Sequence, residues 1–129
     1  MSARLRCVIV DDDPDFLTLI GIALGRVCPA LEVISFHSGL EALGYVNSHH
    51  TDLIITDFHM PLLDGLRLTH HVRAAGKTIP IIVMSGDPIE AQALAMGADI
   101  FLPKKDIPGC LKEIIERLGF KRRIVPTSK

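Results

Sequence analysis

The chain has 129 residues, of which 48% are hydrophobic and 22% charged. That composition suits one domain with a single core and excludes a disordered chain. Acidic and basic residues nearly balance, 15 against 14, for a formal net charge of −1, so no global field points to nucleic acid or a membrane surface. The three cysteines, Cys7, Cys28 and Cys110, are far apart and form no CxxC pair. They read as small buried hydrophobes of a reducing compartment. The opening residues carry too little apolar content for a signal peptide, and no run approaches the roughly 20 apolar residues of a membrane span. The expectation is a soluble, intracellular, cytoplasmic protein.

Residues 5–10 are a short apolar run that ends abruptly in Asp11, Asp12, Asp13 and Pro14. This reads as a buried strand followed by a helix start, with Asp13 as N-cap and proline at the first helical position. The helix carries Phe16, Ile20, Ala23, Leu24 and Val27 on one face at three- and four-residue spacing, and Cys28 with Pro29 closes it. Residues 31–36 give a second strand. Ser38 and Glu41 have the spacing of a capping box, and Leu40, Leu43 and Val46 carry the apolar face of the second helix. The third strand, 52–56, is an apolar run that meets a lone carboxylate, Asp57, with Pro61 four residues on. Asp64 and Gly65 make a turn into a third helix, to about residue 75, with Leu68 and Val72 inward and Gly76 at its C′ position. Strand four is 79–84. Asp87 with Pro88 repeats the cap-plus-proline signature ahead of a short helix over 89–96, which Gly97 stops. Strand five is 98–102. Leu111, Ile114, Ile115 and Leu118 form the clearest amphipathic stripe, on a last helix. His49–His50 and His70–His71 lack the spacing of helical metal ligands and read as surface residues. Residues 121–129 form a polar, basic tail or a linker stub.

Five strands alternating with five helices imply a parallel sheet with helices on both faces, joined by right-handed crossovers. The strand ends then open on one edge, and four of them carry polar residues: Asp11 and Asp12, Asp57, Ser85, and Lys104. In the 2-1-3-4-5 order of many doubly wound sheets, strands one and three are neighbours at the switch point. Three carboxylates then crowd together, which costs several kcal/mol unless a cation offsets it. All-oxygen ligation suits Mg²⁺. A hydroxyl and a lysine on the flanking strands suit a phosphoryl group at that metal, and Asp57 is then a nucleophile that forms an aspartyl phosphate.

The chain resembles the receiver domain of two-component response regulators, the CheY-like family, over roughly residues 5–118. The resemblance rests on Val10 through Asp13, Asp57 with Met60–Pro61 and Asp64–Gly65, Met84–Ser85–Gly86, and the run from Gly97 to Lys104. It implies the flavodoxin-like, doubly wound α/β fold with strand order 2-1-3-4-5, a receiver over residues 1–120, and no enzymatic turnover beyond its own phosphorylation and dephosphorylation. It implies that Asp57 accepts phosphate from a histidine kinase or a histidine phosphotransfer protein. Asp12 would bind Mg²⁺ directly, Asp11 would help through water, and the backbone carbonyl of His59 would complete the protein's share of the shell. Ser85 and Lys104 would contact the phosphoryl oxygens, and Phe101 would turn inward as Ser85 is drawn to the phosphate. The output is a downstream domain or target protein, with the chain either a stand-alone receiver or one excised from a longer protein. The reading has no direct nucleic-acid or membrane binding and allows a homodimer.

The chain departs from the family pattern in three respects. Lys104 is followed by Lys105 and preceded by Pro103, where the family has proline after the lysine, commonly through a cis bond. A cis bond before a non-proline residue costs about 3 kcal/mol, so the Lys104–Lys105 bond is expected to be trans. His59 and Asp87 stand two residues beyond the acceptor and the serine, where the family varies its dephosphorylation rate: Asp87 would repel incoming anions, and His59 could orient water. Phe101 lacks the hydroxyl of the commoner tyrosine. Two other readings remain open. One takes Asp11 to Asp13 as the Asp-x-Asp pair of a haloacid-dehalogenase-like phosphatase, against which stand the short chain and an unexplained Asp57. The other is a receiver fold used only as a binding module and never phosphorylated.

Overall fold

The computed structural model describes residues 5–119; the expected basic tail at 121–129 lies outside them. Among the described residues, strands and helices alternate as β1 (Arg6–Val10), α1 (Pro14–Val27), β2 (Glu32–Phe36), α2 (Gly39–Ser48) and β3 (Leu53–Asp57). They continue as α3 (Gly65–Ala74), β4 (Ile81–Ser85), α4 (Glu90–Ala95), β5 (Ile100–Pro103), a 3-10 turn (Lys104–Asp106) and α5 (Leu111–Arg117). All strand pairs are parallel, and the order is β2-β1-β3-β4-β5, as expected.

Alternation along the strands builds two cores, one on each face of the sheet. Cys7 and Ile9, Leu53 and Ile55, and Ile82 and Met84 pack against Leu17, Ile20 and Leu24 of α1 and Leu111, Ile114 and Ile115 of α5. The residues between them, Val8, Val10, Ile54, Ile81 and Val83, pack against Ala42 and Val46 of α2, Leu68 and Val72 of α3, and Ala93 of α4. Burying each of the larger side chains stabilises the fold by about 1.5–3 kcal/mol. The central strands β3 and β4 are buried along their whole length, which is why they read as unbroken apolar runs.

Two local expectations are corrected. Leu40 was expected on the inward face of α2 but is 51% exposed. The inward residues are Gly39, Ala42 and Val46, because a Cβ at Gly39 would collide with the Leu63 carbonyl, so the small residues take the close contact. The second concerns Asp87, which does not cap α4. That helix starts at Glu90, with Ile89 ahead of it and no side-chain cap. The Asp87 N–H donates instead to Ser85 Oγ at 2.9 Å, closing a turn in which the helix cannot yet begin. The other caps hold: Asp13 accepts from Asp15 N, and Ser38 accepts from the N–H groups of Leu40 and Glu41. Asp64 in turn caps α3, accepting from Arg67 N.

Candidate functional site

Asp57 is the last residue of β3, held between β1 and β4 and opposite Met84. Immediately after it, Phe58 N–H donates to Met84 O at 2.8 Å, and the chain folds back so that Gly65 N–H donates to Phe58 O at 2.9 Å. Gly65 is required there, since a Cβ would collide with the Asp57 carbonyl oxygen. The result is a carboxylate only 5% exposed at the carboxyl edge of the sheet.

Asp11 follows β1 and is wholly buried. Its two oxygens serve two loops: Oδ1 accepts the Asp13 N–H at 2.9 Å, and Oδ2 accepts from Lys104 Nζ at 2.8 Å. Lys104 Nζ also lies 3.2 Å from Asp57 Oδ1. Asp12 is exposed, and one oxygen each of Asp11, Asp12 and Asp57 lies within 4.8 Å of the others. The sheet thus brings four of the expected residues together across its three central-to-edge strands β1, β3 and β5.

Burial, and then the neighbouring Asp11 charge, push the Asp57 carboxyl above the usual carboxylate range, against the pull of Lys104 and the Phe58 N–H. Burial works to lower Lys104, but its hydrogen bond to Asp11 and the charges of Asp57 and Asp11 outweigh that and raise it. Lys104 is therefore a cation at neutral pH, shared by two acids. A lone lysine facing three acidic groups leaves excess negative charge. Three carboxylate oxygens with one exposed side, at Asp12, fit a small hard cation such as Mg²⁺, which prefers a few carboxylates and keeps several waters.

Ser85, the last residue of β4, is 1% exposed. It lines a cleft of about 500 Å³ with Asp87, Phe101, Pro103 and Lys104. Phe101 stands opposite Val83 on β5, half-buried against the core shared with α4. His59 and Asp87 are joined, Nε2 to Oδ2 at 2.5 Å, with both side chains more than half exposed. Sequence reasoning weighed these two as independent influences; the fold makes them one bridge between the loops after β3 and β4. The cis bond among the described residues is Ile107–Pro108; Lys104–Lys105 is trans, as expected, and opens the 3-10 turn Lys104–Asp106. Sequence reasoning did not connect Phe16 to the site. It was placed on the core face of α1, and it does touch that core, but its ring also lies under Lys104 Nζ, 4.4 Å from the centroid.

A family model described as the response regulator receiver domain matches residues 7–116. Response regulator MprA of Mycobacterium avium (strain 104) is 32% identical over 126 residues, which cover 95% of this chain and 53% of that protein. Its Mycobacterium tuberculosis (strain ATCC 25618 / H37Rv) counterpart is also 32% identical, over 98% of this chain and 54% of its own length. The chain thus spans about half the length of these relatives. Among solved structures, the Francisella response regulator 1452 receiver domain superposes with TM-score 0.83 at 25% identity, covering 92% of this chain and 98% of that one. Chemotaxis response regulator CheY4 of Vibrio cholerae gives 0.80 at 25% identity, over 90% and 99%. The chain belongs to the receiver domain family of response regulators.

Proposed function

We propose that Asp57 is the phosphoryl acceptor of this receiver, with Lys104, Ser85, Asp11 and Asp12 as its immediate machinery. The observation that carries the reading is the buried Asp57 carboxylate, 3.2 Å from Lys104 Nζ and within 4.8 Å of oxygens of Asp11 and Asp12. A carboxylate oxygen of Asp57 attacks the phosphorus of a phosphohistidine donor. The O–P bond forms, the P–N bond breaks, and the departing imidazole nitrogen keeps the electron pair. Lys104 already stands beside the attacking oxygen and takes up charge on the phosphoryl oxygens. In its bond with Asp87 N–H, Ser85 Oγ is the acceptor, which leaves its hydrogen to be donated to a phosphoryl oxygen. Drawing Ser85 toward the phosphate opens room in the cleft for Phe101 to turn inward, and the added charge of about −2 biases that segment.

Asp11, Asp12, Asp57 and the His59 carbonyl would hold Mg²⁺. Bound there, the ion offsets the carboxylate charges and those of the incoming phosphoryl group. The donor is a histidine kinase or a histidine phosphotransfer protein in the cytoplasm. Residues 1–120 act as the receiver, and 121–129 is a basic tail or a linker stub. The test is intact-mass measurement after incubation with Mg²⁺ and acetyl phosphate. The chain gains one phosphoryl group, and Asp57→Asn gains none; an adduct that survives the substitution sinks the assignment.

A further inference from the structure

We propose that Phe16 is a positioning residue for Lys104, holding its ammonium at the phosphoryl site through the face of its ring. The inference rests on the role just given to Lys104. Lysine carries its charge on a flexible four-carbon stem, with roughly 2 kcal/mol of rotamer entropy to be suppressed before it can act at one place. In this chain the loop that presents it is a 3-10 turn opened by Lys104 itself, with Lys105 next and Pro103 before. The side chain is therefore steered from outside its own loop, and three groups do so. Asp11 Oδ2 and Asp57 Oδ1 pull the ammonium toward the acids at 2.8 and 3.2 Å. The Phe16 ring lies 4.4 Å below it, within the roughly 6 Å at which the negative face of an aromatic ring attracts a cation.

The ring is itself fixed in place. Phe16 is the third residue of α1, whose start is set by the Asp13 cap and by Pro14. The Asp13 N–H is bound by Asp11 Oδ1, while the other oxygen of Asp11 holds Lys104. Asp11 therefore fixes both the helix that carries the ring and the ammonium above it. Phe16 also packs against the core shared by α1 and α5. The two acids compete with any incoming phosphoryl group and metal for the lysine, whereas a ring face makes no demand on carboxylate oxygens. Phe16 keeps the ammonium at this height when its hydrogen bonds pass from carboxylate to phosphoryl oxygen.

The experiment compares phosphorylation rates by acetyl phosphate at saturating Mg²⁺ for the parent chain, Phe16→Met, Phe16→Leu, Phe16→Tyr and Lys104→Ala. It adds Phe16→Met in the Lys104→Ala background. Methionine and leucine remove the ring at similar volume, and melting curves check folding. The ring-free variants are expected to slow phosphorylation about 3- to 10-fold, the worth of one partly shielded cation–π contact. Tyrosine, which keeps the ring face, should stay within about 2-fold of the parent, and Phe16→Met should cost nothing further once Lys104 is gone. The proposal is overturned if Phe16→Met keeps the parent rate, if tyrosine is as slow as methionine, or if the loss persists without Lys104. A parent rate for Lys104→Ala itself would instead remove the role of Lys104, and this inference with it. Folding failure of the ring-free variants leaves a direct reading on the parent chain. The Lys104 ε-methylene protons should be shifted upfield by the ring in NMR spectra, and unshifted resonances refute the contact.

Discussion

Asp57→Asn should make the protein more stable at neutral pH without divalent cations, although it removes the proposed acceptor. At an effective dielectric of about 20, attraction between Asp57 and Lys104 at 3.2 Å is worth about 5 kcal/mol. Repulsion from Asp11, even at the 4.8 Å limit of the carboxylate group, returns about 3.5 kcal/mol. Asp12 is exposed and screened, and adds a smaller repulsion of the same sign. Little net attraction is left against the several kcal/mol that burying a carboxylate costs, so the balance falls against the charged form. The raised Asp57 carboxyl has the same cause, burial first and Asp11 second. Asparagine keeps the shape, removes the charge, and leaves Lys104 bound to Asp11. The expected gain is about 1–3 kcal/mol, or roughly 4–12 °C in Tm for a domain of this size. Its pH dependence has a definite sign. A carboxyl raised in the folded state contributes stability that is fully present below its unfolded value near 3.8 and is lost as pH rises through the folded value. The gap between variant and parent therefore opens with rising pH and closes in acid. Adding Mg²⁺ at about 100 times its Kd should stabilise the parent by about 2.7 kcal/mol and the variant by less. Melting curves in EDTA and in Mg²⁺, from pH 4 to 8, measure all of this. A variant no more stable than the parent at pH 7.5 in EDTA would refute the electrostatic argument.

Three further substitutions probe the frame around the site. Gly65→Ala forces the turn away from the Asp57 carbonyl and should cost about 1–3 kcal/mol as overpacking; denaturant melts give that, and the acetyl phosphate rate should fall with it. Arg73 donates to Gly97 O, Lys77 O and Asp99 Oδ2, and the same Asp99 oxygen accepts from Ile81 N. Arg73→Ala should lose about 2–3 kcal/mol of stability in urea, because hydrogen bonds to charged groups are worth about 1.5–3 kcal/mol. Leu62 sits at φ 71 and is 86% exposed. Replacing it with glycine removes a left-handed penalty of about 1–2 kcal/mol, partly offset by chain entropy, so Leu62→Gly should gain about 0.5–1 kcal/mol.

The fold was legible because its central strands are buried on both faces. Residues 53–55 and 81–84 are apolar without interruption, and each of the two strands ends in a polar residue that the sheet sets on one edge. Asp57 and Ser85 were found for that reason, since both are the last residue of a strand. Errors arose where small residues do the packing. Gly39 and Ala42 bury more completely than Leu40, but they give a weak apolar signal. Asp87 was misassigned because Asp-Pro marks a helix start only when the preceding turn is finished, and here Ser85 Oγ holds the Asp87 N–H. Neither the His59–Asp87 bridge nor the Phe16–Lys104 contact has a local signature. Each joins residues on elements far apart in the chain, and only the folded sheet edge sets their distance.

The site divides into groups fixed by the sheet and groups carried beyond it. Asp57 and Ser85 lie within the ladder, paired in register with Met84 and Pro103, so their backbones cannot shift without breaking strand hydrogen bonds, and only their side chains are free to turn. Asp12, Lys104 and Asp87 follow their strands, and Asp12 and Asp87 are exposed where the last residues of β1 and β4 are buried. A charge added at Asp57 is therefore met by movement of loops and side chains, not of the strand backbone. The Asp11 carboxylate couples two of those loops, since one of its oxygens holds the start of α1 and the other holds Lys104. When Lys104 turns from Asp11 to a phosphoryl oxygen, the hydrogen bond it gives up is one that Asp11 must replace. The exposed side at Asp12 is where a cation can supply that replacement. On this geometry the lysine's departure and the cation's arrival favour one another, and the affinities for phosphoryl group and Mg²⁺ should rise together.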